Sequence, residues 1–316
     1  MPSFSGILKP GRKMNISSAL EAVPDVEFRL DEPLARHTTF RVGGPVRVFA
    51  RPRSERALCA LLEQIRDLDI PFVVLGGGSN VLAPDGPREM AVIQLSLACN
   101  KLLHSEQRTK KGTILYAGAG TKLQELIRYC IENGLEGLER LSGIPGTVGG
   151  AVVMNAGTPS GAISDNLLHV DLVDPDAGRR LIRREELPPG YRTMGIPENS
   201  IVLGACFKLR ACSSDILKAR AEQILQNRRR TQPLRYPSAG SIFKNPEGQL
   251  AGALIDKAGL KGYRMGGAEV SRKHANWIIN RGNAQAGDIL GLIEKIENEI
   301  YGTFGVRLER EIRILK

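Results

Sequence analysis

The sequence predicts an α+β protein of more than one domain, and three observations carry that expectation. The chain has 316 residues, enough for a sizeable core and more than one domain. Short apolar runs between turns dominate to about residue 210, and longer helical patterns take over from Ser214. Two glycine-rich stretches, residues 76–80 and 141–151, interrupt the strand-rich part.

The first strand-rich segment opens with a turn and short strand over residues 37–50. Pro52 and Ser54 introduce a helix whose Leu58, Leu61, Leu62, Ile65 and Leu68 form one apolar stripe. Residues 71–75 read as a buried strand running into Gly76, Gly77, Gly78, Ser79 and Asn80. Three glycines let the backbone approach a ligand and aim successive N–H groups at it, with a pyrophosphate as the natural guest. Neither a Gly-Lys-Ser/Thr run nor a G-x-G-x-x-G spacing is present, so this is not a Walker loop or a dinucleotide fingerprint.

Strands are expected at residues 90–95 and 113–119, with a polar turn at 101–112 between them. Thr121 is the expected cap of the next helix, with Gln124 completing a capping box. Leu123, Leu126, Ile127 and Cys130 form its apolar face, and Gly134 stops it. In residues 141–157, Pro145 excludes a regular helix across the stretch. Gly143, Gly146, Gly149 and Gly150 suggest backbone wrapped around something flat or phosphorylated. Two such loops suggest a large cofactor between two subdomains.

A hairpin is expected over residues 167–183, then a loop with Tyr191 and Arg192, then a strand at 201–209. Helices follow at 216–230 and 250–258. A third is capped by Asp288 and carries Ile289, Leu292, Ile293, Ile296 and Ile300. A last strand, residues 306–315, would place Glu309, Glu311 and Arg313 on one face by alternation. The loop at 236–246 presents the Ser241 hydroxyl beside an Ile242-Phe243 anchor, followed by Lys244, Asn245 and Pro246. Read alone, it is equally an ordinary Ser/Gly/Pro turn.

Composition narrows the function classes. Hydrophobic content of 42% and charged content of 25% are those of a soluble globular protein. No apolar run is long enough to span a bilayer. Lys9, Arg12 and Lys13 mark a basic tail without the apolar core of a secretion signal, expected to be loose to residue 24. Five cysteines without a C-x-x-C pair argue against a disulfide framework or a zinc site, and point to a reducing cytoplasm and no metal. A net charge of +10 raises nucleic-acid binding. However, only Arg228-Arg229-Arg230 clusters, aromatics are 5%, and no nucleic-acid-binding spacing occurs. A basic pocket for a phosphate-bearing small molecule explains the charge equally well.

Five stretches together resemble the flavoenzyme family UDP-N-acetylenolpyruvoylglucosamine reductase: residues 38–44, 76–80, 142–157, 240–246 and 308–313. Residues 254–262 and 266–280 add to the likeness, which covers the chain from about residue 25 to the end. The resemblance implies a vanillyl-alcohol-oxidase-type FAD-binding domain of two subdomains over residues 25–210. It also implies a smaller α+β substrate domain over 211–303, and a C-terminal strand, 304–316, returning to the active site. It implies a reaction in two steps; the chain is expected to be a monomer. NADPH reduces FAD, and the enolpyruvyl ether of UDP-N-acetylglucosamine then takes the hydride on its terminal carbon to give UDP-N-acetylmuramate.

By position in the family motifs, Arg192 stabilises the developing charge, Ser241 donates the proton, and Glu311 orients or polarises the intermediate. Residues 76–80 with Ser142, Ile144, Gly146, Thr147, Gly149, Gly150 and Asn155 are the implied cofactor contacts. Asn245, Lys244, Arg228 and His274 are the implied substrate contacts. The sequence departs from the family at Met194, where a serine is common, and at Thr158-Pro159-Ser160, where a tyrosine is common. The short chain after Arg192 resembles the branch without a lid tyrosine. Three other readings compete: another FAD enzyme on the same scaffold, a nucleotide-sugar binding protein without activity, and a basic nucleic-acid binder.

Overall fold

The computed structural model describes residues 16–95, 107–109, 112–174, 178–197 and 199–315. The basic residues before Met14, most of the expected polar turn at 101–112, and Pro175-Asp176 of the hairpin turn lie outside these. The first sheet has the order Val26–Pro33, Pro45–Pro52, Arg88–Gln94, Phe72–Leu75. Its first pair is antiparallel and the others parallel. Helices α1 (Ile16–Glu21) and α2 (Glu55–Asp67) cover one face. Ser54 caps α2 through the Ala57 amide, as its position suggests. Leu58, Leu61, Leu62 and Ile65 are all buried, each stabilising the fold by about 1.5–3 kcal/mol. Leu20 of α1 is fully buried, so the part of the expected loose tail from Ile16 to residue 24 is packed on the fold.

A second, antiparallel sheet runs Gly178–Arg183, Leu167–Asp174, Ile201–Ala211, Gly112–Gly118, Gln107–Thr109. The hairpin at 167–183 is as the turn residues predict. Helices α3 (Leu123–Glu132) and α4 (Val148–Val153) pack on this sheet. Lys122, not Thr121, precedes α3, and the Thr121 hydroxyl is buried without a partner. Gln124 does not complete a capping box either. Its Nε2 donates to the carbonyls of Ile144 (2.8 Å) and Leu141 (3.4 Å), and its Oε1 accepts from the Gly143 amide (2.8 Å). The side chain that looks like a cap is a clamp on the second glycine loop.

Helix α5 (Ser214–Thr231) packs against α3 and the 139–141 turn, and Leu225 touches Gly143. It therefore packs with the first half of the molecule. The remaining half holds α6 (Ala251–Lys257), α7 (Ala286–Phe304) and the three-stranded sheet Arg264–Met265, Ala268–Val270, Ile278–Asn280. Asp288 sits in the first turn of α7, not at its cap; its Oδ2 accepts from the amides of Gln285 and Gly267.

The halves interlock. Phe40 and Val42, from the 38–44 motif, are buried in the C-terminal core beside Ile242 and Phe243. The expected last strand is regular only at Arg313–Ile314, which pairs in parallel with Val81–Leu82 of the first half. Asp85 accepts hydrogen bonds from the amides of Ala286 (2.8 Å) and Gly287 (3.0 Å), at the start of α7. Among the described residues, no helix is long and apolar enough to cross a membrane.

Candidate active site

The two glycine loops together line a cleft of about 630 Å³. Gly76, Gly77, Gly78, Ser79 and Asn80 contribute from the first, and Ile144, Gly146, Thr147, Gly149 and Gly150 from the second. The loops also press on each other. A Cβ at Gly77 would lie 2.8 Å from Gly146 Cα, so some of these glycines exist for loop-to-loop contact rather than for a ligand. Loop 76–80 is held from behind by residues 37–39: Thr39 donates from its amide to the Gly78 carbonyl at 3.0 Å. Among the described residues, the amides of Gly77, Gly78 and Ser79 donate to nothing, which leaves three successive N–H groups for an anion.

Two expected cofactor contacts stand elsewhere. Ser142 is buried and donates to the Glu139 carbonyl at 2.6 Å. Asn155, at φ 42°, donates to the Gly190 carbonyl and accepts from the Ser164 amide. Neither lines the cleft. Both shape the loops that do.

A second cleft of about 320 Å³ opens beside the first, lined by Asn245, Lys261, Lys273, His274 and Tyr191 among others. The residues common to both clefts are Arg192, Ser241 and Glu311. Arg192, in the left-handed region at φ 61°, donates from Nε to Glu311 Oε1 at 2.7 Å and from Nη1 to the Gly157 carbonyl at 3.2 Å. Glu311 and Ser241 sit on adjacent backbone segments, because the Glu311 amide donates to the Ile242 carbonyl at 2.8 Å. Asn276 pins the Ser241 side of that pair. Its carbonyl accepts from Ile242 (2.9 Å) and its side chain brackets the Phe243 backbone (3.0 and 2.8 Å).

Burial pushes the Glu311 carboxyl above the ordinary glutamate range, and Arg192 and Lys244 pull it back in part. Glu309 and Glu311 do not share a face as alternation suggests. The Glu309 side chain is 71% exposed and the Glu311 side chain 12%. The segment is too irregular for period-2 reading, since it makes only an isolated bridge, Phe243 to Arg310, before residue 313.

The four expected substrate contacts separate. Asn245 and His274 line the second cleft, although Asn245 Oδ1 is also bound to the Ala251 amide at 3.1 Å. Burial, then Lys261, lowers the His274 pKa, and its Nδ1 has no partner. Lys244 is ion-paired with Glu309 and lines neither cleft. Arg228 lines the first cleft, not the second. Residue-level reading of the sequence missed Gln232, Tyr236, Trp277 and Arg313 on the first cleft, and Lys261 and Lys273 on the second. Lys261, Lys273, Trp277 and Arg313 lie inside the recognised motifs. Tyr236 opens the Ser241 loop, and Gln232 had no signal beyond following the arginine cluster.

A cleft lined by two glycine loops, three free amides on one of them, and residues of the second half such as Ser241, Trp277 and Glu311 is the arrangement of a two-domain FAD-binding oxidoreductase. Residues 46–181 match the FAD-binding domain family, and residues 232–315 match the C-terminal domain of UDP-N-acetylenolpyruvoylglucosamine reductase. The chain belongs to the UDP-N-acetylenolpyruvoylglucosamine reductase family. It is 54% identical to the reductase of Syntrophobacter fumaroxidans over 94% of this chain and 86% of that one. It is 42% identical to the reductase of Moorella thermoacetica over 99% and 98%. Its fold matches the crystal structure of the Thermus caldophilus reductase with a TM-score of 0.76, at 36% identity, over 92% of this chain and 99% of that one.

Proposed function

We infer that this chain catalyses the NADPH-dependent, FAD-mediated reduction of UDP-N-acetylglucosamine enolpyruvate to UDP-N-acetylmuramate, a step of peptidoglycan precursor synthesis. The observation that carries the assignment of roles is that Arg192, Ser241 and Glu311 are the residues shared by the cofactor cleft and the second cleft. A reaction between a cofactor in one and a substrate in the other must take place at that junction. FAD, when bound, supplies the two-electron carrier that links NADPH to the sugar nucleotide. Residues 76–80 and 144–150 would hold it, and the free amides of Gly77, Gly78 and Ser79 suit its pyrophosphate.

Adding hydride to the terminal vinyl carbon pushes an electron pair toward the adjacent carbon and its carboxylate. A fixed cation there lowers the barrier. Arg192 is that cation: Glu311 and Gly157 hold it, and these contacts engage two of its five N–H donors. The adjacent carbon then needs one proton, and Ser241 delivers it. A hydroxyl is a weak acid, so it must be held still and polarised. The Asn276 and Glu311 backbone contacts do the holding. Glu311 orients Arg192 and polarises the proton path from a site shielded from water. Asn245 and His274 bind the substrate in the second cleft, and Lys244 acts on the site through its charge on Glu311. The described cysteines Cys59, Cys130, Cys206 and Cys212 are free thiols, which supports a reducing, cytoplasmic setting.

The test follows NADPH oxidation with and without the enolpyruvyl sugar nucleotide. Substrate-dependent turnover is expected, and Ser241→Ala should lower kcat about 10²- to 10⁴-fold with flavin content unchanged. Oxidation that requires only oxygen and ignores the sugar nucleotide would sink this reading.

A further inference from the structure

Among the described residues, the Ser241 hydroxyl has no hydrogen-bond partner, so the turn that carries it fixes where it stands. The apex of that turn offers no brace. Gly240, at φ +80°, has no atom within 4 Å of the place a Cβ would take. The turn is therefore held through its arms. Asn276 grips the downstream arm at Ile242 and Phe243. The upstream arm, Tyr236 and Pro237, is gripped by two consecutive residues, Asn280 and Arg281. The Asn280 amide donates to the Pro237 carbonyl at 2.9 Å. The Arg281 guanidinium lies over the Tyr236 ring, 4.7 Å from its centroid.

Both gripping residues are themselves tied down. Asn280 is buried, and both ends of its side-chain amide are engaged. Its Nδ2 donates to the Phe40 carbonyl at 2.9 Å, and its Oδ1 accepts from the amides of Gly282 (2.8 Å) and Ala284 (3.1 Å). Arg281 Nε stands 3.6 Å from Oε2 of Glu269, a buried carboxylate that Arg264 also holds, at 2.7 Å. The Phe40 contact carries the grip across the molecule, because the neighbouring Thr39 amide donates to the Gly78 carbonyl on the first glycine loop at 3.0 Å. One buried amide thus stands between the loop of the cofactor cleft and the arm of the Ser241 turn. Neither Asn280 nor Arg281 lines either cleft. We propose that Asn280 and Arg281 are a positioning pair that sets the place of the Ser241 hydroxyl against the cofactor cleft. The inference rests on the reading above that Ser241 donates the proton. It divides the two half-reactions: hydride transfer from NADPH to the cofactor uses no Ser241 proton, whereas reduction of the sugar nucleotide does.

The half-reactions are followed separately, without oxygen, by flavin absorbance of the full-length holoprotein, for the wild type, Asn280→Ala and Arg281→Met. Flavin reduction by NADPH should keep its wild-type rate. Reoxidation by the sugar nucleotide should slow about 10- to 100-fold in Asn280→Ala, the scale of a misplacement approaching 1 Å. In Arg281→Met it should slow about 2- to 5-fold, the range of an exposed cation–π contact. The solvent deuterium isotope effect on reoxidation should grow in both, because the misplaced proton transfer becomes the slow step. Amide hydrogen exchange, read without turnover, should quicken across residues 236–246 and stay unchanged in α2. The Arg281 side chain is 37% exposed, so Arg281→Met decides the matter alone if Asn280→Ala does not fold. Equal slowing of both half-reactions, or reoxidation at the wild-type rate, would overturn the proposal. So would quicker exchange spread over the whole chain, the mark of a merely structural role. A wild-type reduced enzyme that the sugar nucleotide does not reoxidise would overturn the reductase reading, and this proposal with it.

Discussion

Glu311 shows how one residue's chemistry is set by burial and two neighbours. Burial is the largest influence and raises its pKa, while Arg192 and Lys244 lower it. Lys244 acts through space, since its ammonium is paired with Glu309. Lys244→Met should therefore let the Glu311 pKa rise further. If the carboxylate is the working form, the acid limb of the kcat–pH profile should move to higher pH, and an unmoved limb would remove Lys244 from the site's electrostatics. The same shift has a stability consequence of fixed sign. A carboxyl whose folded pKa exceeds its unfolded one contributes stability that is complete below the unfolded value. That contribution is lost as pH rises through the folded value. Glu311→Gln lacks this loss, so its unfolding free energy relative to wild type should climb across that window, as urea titrations at several pH values would register.

The element that organises the cofactor side is the clamp between α3 and the 141–144 loop. Gln124 makes three hydrogen bonds to that loop's backbone. Gln124→Ala strands the Gly143 amide and two carbonyls in a partly buried position, at a cost of about 1–3 kcal/mol. The expected result is a lower urea midpoint with an unchanged slope, together with faster FAD release. Its misreading is instructive. Thr121 and Gln124 stand three residues apart before an apolar run, the pattern of a capping box. The pattern reports local spacing only. The loop twenty residues away offers Gln124 more hydrogen bonds than a local cap would, and a single window of sequence contains no trace of it. The last segment fails in the same way, because alternation assumes regular pairing and only Arg313–Ile314 pairs regularly.

On the scale of the whole molecule, the proposed catalytic residues are held where the halves interlock. Asn80, on the first glycine loop, donates to the Glu311 carbonyl at 3.0 Å, and its own carbonyl accepts from the Arg313 amide at 3.0 Å. Phe40 enters the C-terminal core from the first half, and Asp85 caps α7 from the same side. A change at one glycine loop is thus felt at Glu311 without crossing solvent. Asp85→Ala removes a helix cap that joins the halves and should cost about 0.5–2 kcal/mol of stability. It should also lower kcat while FAD release stays at the wild-type rate. A kcat equal to wild type would mean that the α7 contact has no part in placing Glu311.

The sequence by itself determined the two glycine loops, the Ser241 turn, the apolar faces of α2, α3 and α7, and, through the order and spacing of its motifs, the family. These are local properties, written in residue type and period. Which side chains meet was decided only in three dimensions. Arg228 lies two residues from Arg230 in sequence, yet it faces the cofactor cleft while its neighbours face solvent, because α5 packs its Arg228 side on Gly143. Lys244 lies three residues from Ser241 and lines neither cleft, whereas Arg192, about fifty residues before Ser241, lines both. Burial, pairing and pKa are properties of the packed neighbourhood, and that neighbourhood is assembled from segments as far apart as Asn80 and Glu311.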